Sequence, residues 1–439
     1  MKSTSASLNN QSSSRVRMAL ILGTLSAFGP LSLDMYLPAL PTLAEDFNSS
    51  PSYAQLSLTA CMVGLAAGQL LAGPLSDVRG RRTPLIAGLV LYTIASILCL
   101  VSPTMGSFVV LRFIQGAAGA AGIVISRAVV RDVYSGPELT RFFSLLMLIN
   151  GVAPIAAPII GGQLLAYTSW RGVFILLSLI GILTLLAVIF GLGETLPSER
   201  RSRGGLKQTL VTFRHIAADR LFMGYALTQG FVAAGMFAYI SGSPFVLQKI
   251  YGVSPQMFSL CFAINGLGII LASQIAGRLA GKVSETRLLI AGLVAAAVGG
   301  TSLLVAILSG GNLISILIPL FLVVSSVGLV NTASFALAMA NQEKSAGSAS
   351  ALIGVMTFLF GGIVAPLVGL GGEGTAVPMG IVIACADLGA LLLYLVMVGK
   401  RGHRQQTLNL MKNVKCPIRR FKLRVGRLCS SKVRTRFAY

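Results

Sequence analysis

Long apolar runs separated by short polar segments fill the chain from residue 18 to residue 398. Each run approaches the length of about 20 apolar residues that a helix needs to cross a bilayer. Twelve runs qualify, so we predict an all-α polytopic membrane protein with twelve transmembrane helices. The predicted spans 1 to 12 cover residues 18–40, 53–73, 83–102, 106–127, 141–165, 169–191, 219–241, 255–277, 287–308, 312–337, 348–370 and 376–398.

The polar segments divide these spans into two sets of six. The longest internal one, at 192–218, is rich in charged residues and follows span 6. The basic loop after span 2 has a fainter counterpart after span 8, at 277–282. These matching loops indicate two parallel pseudo-repeats that are related by an axis normal to the membrane. We predict a cytoplasmic segment at 1–17, six-helix bundles at 18–191 and 219–400, a linker at 192–218 and a basic tail at 401–439.

Basic residues lie almost entirely on one side of this arrangement. An even number of spans places both termini together, and that side then holds every Lys and Arg except Arg112 within span 4 and Arg171 and Lys249 opposite. Positively charged loops mark the cytoplasmic side, so we predict both termini inside. The net charge of +22 therefore reflects topology and a basic tail, and we expect no nucleic-acid partner.

We find no motif for catalysis, nucleotide binding or metal binding in the sequence. It has no nucleotide-binding loop and no nucleophile elbow, and its six cysteines show neither metal-ligand spacing nor a disulfide framework. We expect no enzymatic activity, no metal and no cofactor. Transport by such a chain has to be driven by a gradient.

The loop between spans 2 and 3 carries one acid and three arginines in a Gly-Pro frame. Its sequence, Gly-Pro-Leu-Ser-Asp-Val-Arg-Gly-Arg-Arg at 73–82, resembles the corresponding loop of major facilitator superfamily transporters, with Val78 where a basic residue is usual. The resemblance implies a conformational gate in which Asp77 caps a helix across the bundle. A solvated loop that only fixes orientation is the alternative. The gate residues are Gly73, Asp77, Arg79, Gly80, Arg81 and Arg82.

Asp34 in span 1 and Arg112 in span 4 are charged side chains inside predicted spans. At about 1.5 Å per residue, both lie at similar depth in the outer part of the membrane. An ionised group near the centre of a span costs about 3 kcal/mol and usually faces a cavity or a partner. We predict that Arg112 holds Asp34 ionised until the carboxylate is protonated. A carboxyl that reaches the outer surface and a static ion pair are the alternatives.

The sequences around both charges resemble known transporters. Leu-Asp-Met-Tyr-Leu-Pro-Ala-Leu-Pro at 33–41 resembles the first helix of drug–proton antiporters of the bicyclomycin-resistance type. Leu-Arg-Phe-Ile-Gln-Gly at 111–116 resembles the fourth-helix motif of the superfamily, whose arginine takes part in proton coupling. The resemblance covers roughly residues 15–400. It implies the twelve-helix major facilitator fold and proton coupling by Asp34 and Arg112.

Span 5 has two prolines four residues apart among glycines. Prolines remove hydrogen bonds and bend a helix, and glycines let a neighbouring helix approach closely. The run resembles the antiporter motif of drug exporters, although Ala157 stands where a glycine is usual. It favours exchange over uptake, and ordinary Gly and Pro content is the alternative. The motif residues are Gly151, Pro154, Pro158, Gly161 and Gly162.

Several polar and aromatic side chains are candidates for a substrate cavity. An apolar, aromatic cavity with few fixed polar groups suits amphiphilic substrates of variable shape. Ordinary helix packing is the alternative for each of them. The candidates are Tyr36, Gln115, Asn150, Gln229, Phe237 and Asn265. Asp387, near the middle of span 12, has no partner that the sequence identifies.

These features predict a proton-coupled antiporter of the bacterial inner membrane. We expect it to export bicyclomycin-like or sulfonamide-like antibiotics, or small metabolites, by alternating access. The expected partners are protons, a small amphiphilic drug or metabolite and membrane lipids, and one chain suffices as a monomer. The alternatives are a symporter that imports a small polar solute, against which span 5 argues, and a transport-dead sensor that signals through its tail.

Overall fold

The computed structural model describes residues 2–201, 206–340, 342 and 346–399, and these residues form an all-α protein. Nearly all of them lie in helices joined by short turns. The helices are α1 (Lys2–Asp34), α2 (Leu40–Asp46), α3 (Pro51–Arg79), α4 (Arg82–Leu100), α5 (Met105–Val133), α6 (Gly136–Leu164), α7 (Trp170–Gly191), α8 (Leu206–Ala218), α9 (Arg220–Phe245), α10 (Pro255–Leu279), α11 (Glu285–Leu308), α12 (Leu313–Met339), α13 (Ala346–Val368) and α14 (Val377–Tyr394).

The apolar helices match the predicted spans. Within the described ranges, 11 helical segments are long and apolar enough to cross a membrane. Span 5 corresponds to α6, whose apolar part is the shorter stretch Leu148–Leu164. The predicted all-α fold of transmembrane helices is confirmed. The domain boundaries stay predictions, since α1 runs on from Lys2 without a break at residue 17 and the tail at 401–439 lies outside the described residues.

The first span differs from the prediction of one continuous helix over 18–40. Helix α1 ends at Asp34, and the chain continues through a 3₁₀ turn at Leu37–Ala39 into the short helix α2. Both of these elements have a proline in their first turn, where its missing N–H leaves no hydrogen bond unmade. Asp34 is therefore the last residue of a helix and not an interior one.

Side-chain caps fix the starts of several helices. The Ser50 hydroxyl accepts a hydrogen bond from the Tyr53 amide at 3.3 Å, ahead of Pro51 at the start of α3. The Asp219 carboxylate accepts from the Leu221 amide at 2.9 Å at the start of α9. Such caps satisfy amides that have no partner within the helix.

Small residues set the spacing inside the bundle. A Cβ atom at Gly64 or Gly68 of α3 would overlap with a carbonyl oxygen of α5. The two halves meet where α3 packs on α13 and α6 packs on α10. We call the end of the bundle that carries residues 79–82 and 280–284 the basic end, and the end that carries residues 47–50 and 251–254 the opposite end.

Candidate functional site

Arg112 is the centre of a polar network inside the N-terminal half. Its side chain on α5 is completely buried, at 0% exposure. The guanidinium donates to the main-chain carbonyl of Ser32 at 2.6 Å and to the side-chain oxygen of Gln115. The Gln115 amide donates in turn to the Ser96 hydroxyl at 2.7 Å. The network therefore ties α1, α4 and α5 together through one buried positive charge.

Two aromatic rings cover this guanidinium. Its Cζ atom lies 4.4 Å from the ring centre of Tyr36 and 5.6 Å from that of Phe174. A desolvated contact of this kind is worth about 2 kcal/mol. The Tyr36 hydroxyl shares a hydrogen bond of 3.0 Å with Ser57 on α3. Carbonyl and amide oxygens and ring faces thus compensate the charge of Arg112, and no carboxylate of the described residues pairs with it.

Asp34 is buried at 6% exposure and does not meet Arg112. Among the described residues, its carboxyl has neither an ion-pair partner nor a hydrogen-bond partner. It sits at the C-terminal end of α1, where the last carbonyls carry partial negative charge. The predicted direct ion pair is absent here because the guanidinium is already engaged by Ser32 and Gln115. Proton coupling by both residues stays a prediction.

The surroundings of Asp34 belong to both halves of the bundle. The preceding residue, Leu33, lines a small apolar cleft together with Met62 of α3 and with Phe237 and Ser241 of α9. Tyr239 of α9 lies within electrostatic range of the Asp34 carboxyl. The carboxyl therefore lies at the boundary across which the two halves move relative to each other in any rocking motion.

Helix α6 touches the turn after Asp34 on one side and the second half on the other. A Cβ atom at Gly161 would overlap with the carbonyl oxygen of Met35, and one at Gly162 would overlap with the hydroxyl of Ser259 on α10. Ser259 donates to the Pro158 carbonyl at 2.8 Å. Close approach of the main chain therefore requires glycine at Gly161, whereas a side chain at Gly162 would first displace the Ser259 hydroxyl. Both prolines of the motif, Pro154 and Pro158, lie inside the helix.

Gly151 of the same motif is less constrained. A Cβ atom there would have Ile270 as its nearest neighbour, at an ordinary van der Waals distance of 3.9 Å. The motif predicted from the sequence thus contains two sites of close helix approach and one site with free space.

The six cavity candidates have different surroundings in the described part of the chain. Tyr36 and Gln115 belong to the Arg112 network, and Asn150 is bound to the Ser26 hydroxyl at 2.6 Å. Gln229 is buried, and its Oε1 atom has no hydrogen-bond partner. A role for these four side chains in a substrate cavity stays a prediction.

Phe237 and Asn265 lie closer to the boundary between the halves. Phe237 lines the apolar cleft beside Leu33. The Asn265 amide donates to the Tyr239 hydroxyl at 2.8 Å, and the Tyr239 ring stacks on Phe262 with ring centres 5.5 Å apart. Phe237 therefore borders the cleft from the second half, and Tyr239 joins Asn265 and Phe262 in one contact group of that half.

At the basic end, Arg81 holds a charge cluster within the N-terminal half. Its guanidinium pairs with Asp77 at 2.5 Å and with Asp132 of α5 at 2.8 Å. The Asp77 side chain is 49% exposed. Asp77 is thus engaged by its own loop here, and its predicted capping of a helix across the bundle stays a prediction. Arg79 is exposed, and Gly73 has Val124 as its nearest neighbour at 3.6 Å.

Glu194 is a member of this cluster that the sequence analysis missed. Its carboxylate accepts from the backbone amides of Arg81 and Arg82 at 2.8 and 3.3 Å. Partial burial raises the pKa of Glu194, but these amides and that of Leu196 outweigh burial and hold the pKa below its ordinary value. The available signal was an acid directly after span 6, on the same side as the arginine-rich loop.

Gly80 is the position where this carboxylate comes closest to the loop. Its φ of +92° is favourable for glycine alone among common residues, and a Cβ atom there would overlap with the Glu194 carboxylate. Glycine is therefore favoured at position 80 both by the backbone conformation and by the packing against Glu194.

Side-chain contacts join the two halves at the opposite end. Ser52 donates to the Pro366 carbonyl at 2.8 Å, and Gln55 donates to the Ser241 carbonyl at 3.0 Å. Lys249 forms an ion pair with Glu45. The opposite end is closed in this conformation.

The sequence profile of the Major Facilitator Superfamily matches residues 22–366. The chain belongs to the major facilitator superfamily. The predicted resemblance to exporters of the bicyclomycin-resistance type is also confirmed by relatives. The chain is 32% identical over 386 residues to a bicyclomycin resistance protein homolog of Haemophilus influenzae, which covers 88% of this chain and 97% of the relative.

Two further relatives of this superfamily member differ in what their names state. It is 47% identical over 383 residues to the uncharacterized MFS-type transporter YdgK of Bacillus subtilis, covering 87% of this chain and 95% of YdgK. It is 27% identical over 376 residues to the multidrug resistance protein MdtL of Escherichia coli, covering 84% and 93%.

Solved structures of superfamily transporters share the fold. The nucleoside transporter NupG aligns with a TM-score of 0.70 at 12% identity, over 87% of this chain and all of NupG. A bacterial homolog of the human lysosomal transporter Spinster, in an inward-facing conformation, aligns with a TM-score of 0.67 at 15% identity, over 88% and 95%. At these identities the likeness concerns the fold alone. The protein is a multi-pass membrane transporter of this superfamily.

Proposed function

We propose that this transporter exports a small amphiphilic drug or metabolite across the bacterial inner membrane in exchange for protons. The observation that carries the proposal is the buried, unpaired carboxyl of Asp34 at the boundary between the halves. The relatives named for bicyclomycin and multidrug resistance support drugs as the exported class. No second copy of the chain is needed for this cycle, and we propose a monomer.

Asp34 is the proton-carrying group in this proposal. With the basic end in the cytoplasm, the conformation is closed to the outside. When the opposite end opens, water reaches Asp34 and a proton binds from outside. A neutral carboxyl is less costly to bury than a carboxylate, so its protonation favours closure of the outer end. The proton leaves to the cytoplasm when the substrate binds.

Arg112 acts on Asp34 through position and not through an ion pair. Its bond to the Ser32 carbonyl holds the last turn of α1, two residues before Asp34. Arg112 is therefore a positioning residue whose fixed charge also influences the potential around the carboxyl. The contact between Gly161 and Met35 carries movement of this turn to α6, and Ser259 carries it on to α10.

The cleft beside Asp34 indicates the substrate class. Leu33, Met62 and Phe237 line it with apolar surface, and Tyr239 stacks on Phe262 in the same half as Phe237. Such a lining binds flat or rounded apolar bodies with little dependence on shape, and Asp34 interacts with a single polar or basic group. The basic-end cluster around Arg81 is the proposed gate, in which Asp77 is released to the second half when that end closes.

The test is drug accumulation in cells that lack other exporters. Cells with the wild type are expected to keep a fluorescent amphiphilic drug out until a protonophore collapses the gradient. Cells with Asp34→Asn are expected to accumulate drug under both conditions. Asp46→Asn is the matched control, because Asp46 lies on α2, is half exposed and pairs with Arg171 at the opposite end. Export by Asp34→Asn at the wild-type rate would contradict the proposal.

A further inference from the structure

Asp387 is a second buried acid, in the C-terminal half and outside the site described above. It lies in α14, ten residues after Val377, or about 15 Å along the helix and so near its middle. Its side chain is 0% exposed, and neither carboxylate oxygen has a hydrogen-bond partner. Burial of a polar group without partners is unfavourable and rare in folded proteins. The position therefore needs a physical explanation.

Two glycines make the space that this carboxyl occupies. A Cβ atom at Gly235 of α9 would lie 2.9 Å from Oδ1, and one at Gly300 of α11 would lie 3.0 Å from Oδ2. Real Cβ atoms are rarely so close to another heavy atom. Three helices thus converge on Asp387, and glycine is present on both facing surfaces where a larger residue would collide with the carboxyl.

No charged side chain of the described helices around Asp387 faces the carboxyl. Arg220 of α9 and Glu285 and Arg287 of α11 lie in the first turns of their helices at the basic end, and α13 has no charged residue. The remaining titratable groups of these helices are tyrosines and one cysteine. Tyr239 is bound by Asn265, Tyr225 and Tyr394 lie toward the basic end, and Cys385 is exposed.

We infer that Asp387 is a proton-binding site of the C-terminal half, occupied in this conformation, and that the neutral carboxyl allows α14 to pack against α9 and α11. A metal cation is disfavoured because Ca²⁺ or Mg²⁺ requires about six oxygen ligands, and the facing positions here are glycines. A carboxylate without donors in a span is unstable, whereas the neutral acid is tolerated.

Packing at Asp387 reaches the boundary between the halves through α9. Gly235 lies one helical turn before Tyr239 and two residues before Phe237 on that helix. Loss of the proton would require water or a donor to enter between α14 and α9, and α9 would shift as a result. Proton occupancy of Asp387 therefore biases the position of the side chains that border the cleft. This inference goes beyond the proposed function and does not depend on the direction or substrate of transport.

Infrared spectroscopy of the purified full-length protein tests proton occupancy. The wild type at neutral pH is expected to show the C=O stretching band of a buried neutral carboxyl, and Asp387→Asn is expected to lose it. Glu373→Gln, in the exposed loop before α14, is the control that keeps the band. Identical spectra for the wild type and Asp387→Asn would overturn the inference. So would loss of the wild-type band on addition of sodium chloride, which would assign the site to a cation.

A second variant leaves Asp387 in place. Gly235→Ala adds a methyl group against Oδ1, so the band is expected to shift in frequency. Gly277→Ala is its control, because nothing lies within 4 Å of a Cβ atom there. A band that is unmoved in Gly235→Ala would contradict the assignment to Asp387.

Hydrogen–deuterium exchange of α14 tests the packing role. At alkaline pH the wild-type helix is expected to exchange several-fold faster than the same helix in Asp387→Asn, which cannot ionise. Comparison of the two proteins at one pH removes the intrinsic dependence of exchange on pH. Equal exchange at every pH would overturn the link between proton occupancy and packing.

Discussion

Arg112 donates a hydrogen bond of 2.6 Å to the carbonyl oxygen of Ser32, two residues before Asp34. The buried guanidinium therefore holds the main chain at the end of α1 and leaves the Asp34 carboxyl unpaired. An acid whose position is fixed by a neighbour that does not neutralise it is able to bind and release a proton without first breaking an ion pair. The sequence motifs joined Asp34 and Arg112 in one ion pair. In the structure the two roles are separate, because Arg112 positions the main chain and Asp34 is the proton-carrying group of the proposed cycle.

Arg112→Lys tests the positioning role. Lysine keeps the charge but lacks the planar fork that reaches Ser32 and Gln115 together and stacks over Tyr36. We expect drug export to fall by about tenfold or more at unchanged protein level, as for loss of an interaction used in the cycle. Arg171→Lys is the matched control, because Arg171 stacks over Trp170 at 4.3 Å but is exposed. Equal export by both variants would remove Arg112 from the account.

Gly161→Ala tests the contact between α6 and the turn after Asp34. The added methyl group would overlap with the Met35 carbonyl, so the turn or the helix has to move. We expect export to fall by about tenfold or more, because a helix contact of this kind does not tolerate a side chain. Gly151→Ala on the same helix has free space and should keep export near the wild-type level. Transport assays on protein of matched expression decide between them.

Gly80→Ala tests the carboxylate contact at the basic end. Alanine there is strained by about 1–3 kcal/mol, because φ is +92° and ψ is 166°, and it also overlaps with Glu194. Gly281→Ala also places alanine at a positive φ, +80°, but nothing lies within 4 Å of a Cβ atom there. Thermal unfolding in detergent should show a larger loss of stability for Gly80→Ala. Equal losses in the two variants would mean that Glu194 adds nothing.

Glu194 gives the basic end a dependence on pH. Its pKa is held below the ordinary value by backbone amides of Leu196, Arg81 and Arg82, which outweigh partial burial. The folded state therefore gains stability from the ionised form above about pH 4.3, the ordinary value for Glu, and loses it as the pH falls through the lowered pKa. In this acidic window the unfolding temperature should depend less on pH for Glu194→Gln than for the wild type. Glu373→Gln should follow the wild type, and a wild-type-like slope in Glu194→Gln would contradict the assignment.

The helices and the family were predictable because apolar length and local motifs encode them. Each span is a continuous apolar run that is unfavourable in water. The loop at 73–82 and the run at 33–41 are short motifs that can be compared directly with those of known transporters. The end of α1 at Asp34 was missed, although Pro38 and Pro41 signalled a break nearby. Where the helix ends depends also on the close approach of Gly161 to Met35, which is a contact between distant parts of the chain.

Partners of charged groups were harder to predict for the same reason. Asp34 and Arg112 lie at similar depth in the membrane, but depth alone does not predict where their side chains point. The guanidinium of Arg112 points to Ser32 and Gln115. Glu194 joins the basic loop through main-chain amides, which leave no mark in a residue pattern. The glycines around Asp387 are 65 residues apart in the chain, at Gly235 and Gly300, and only the folded bundle brings them to one carboxyl.

Proton movement in inverted membrane vesicles tests the central claim most directly. Vesicles acidified inside by respiration are followed with a pH-sensitive dye, and an amphiphilic drug is added outside, on the side of the basic end. Exchange through Asp34 predicts that the drug partly dissipates the gradient with the wild type and with Asp46→Asn, but not with Asp34→Asn. A wild type that takes up the drug while the gradient stays unchanged would contradict proton exchange through Asp34.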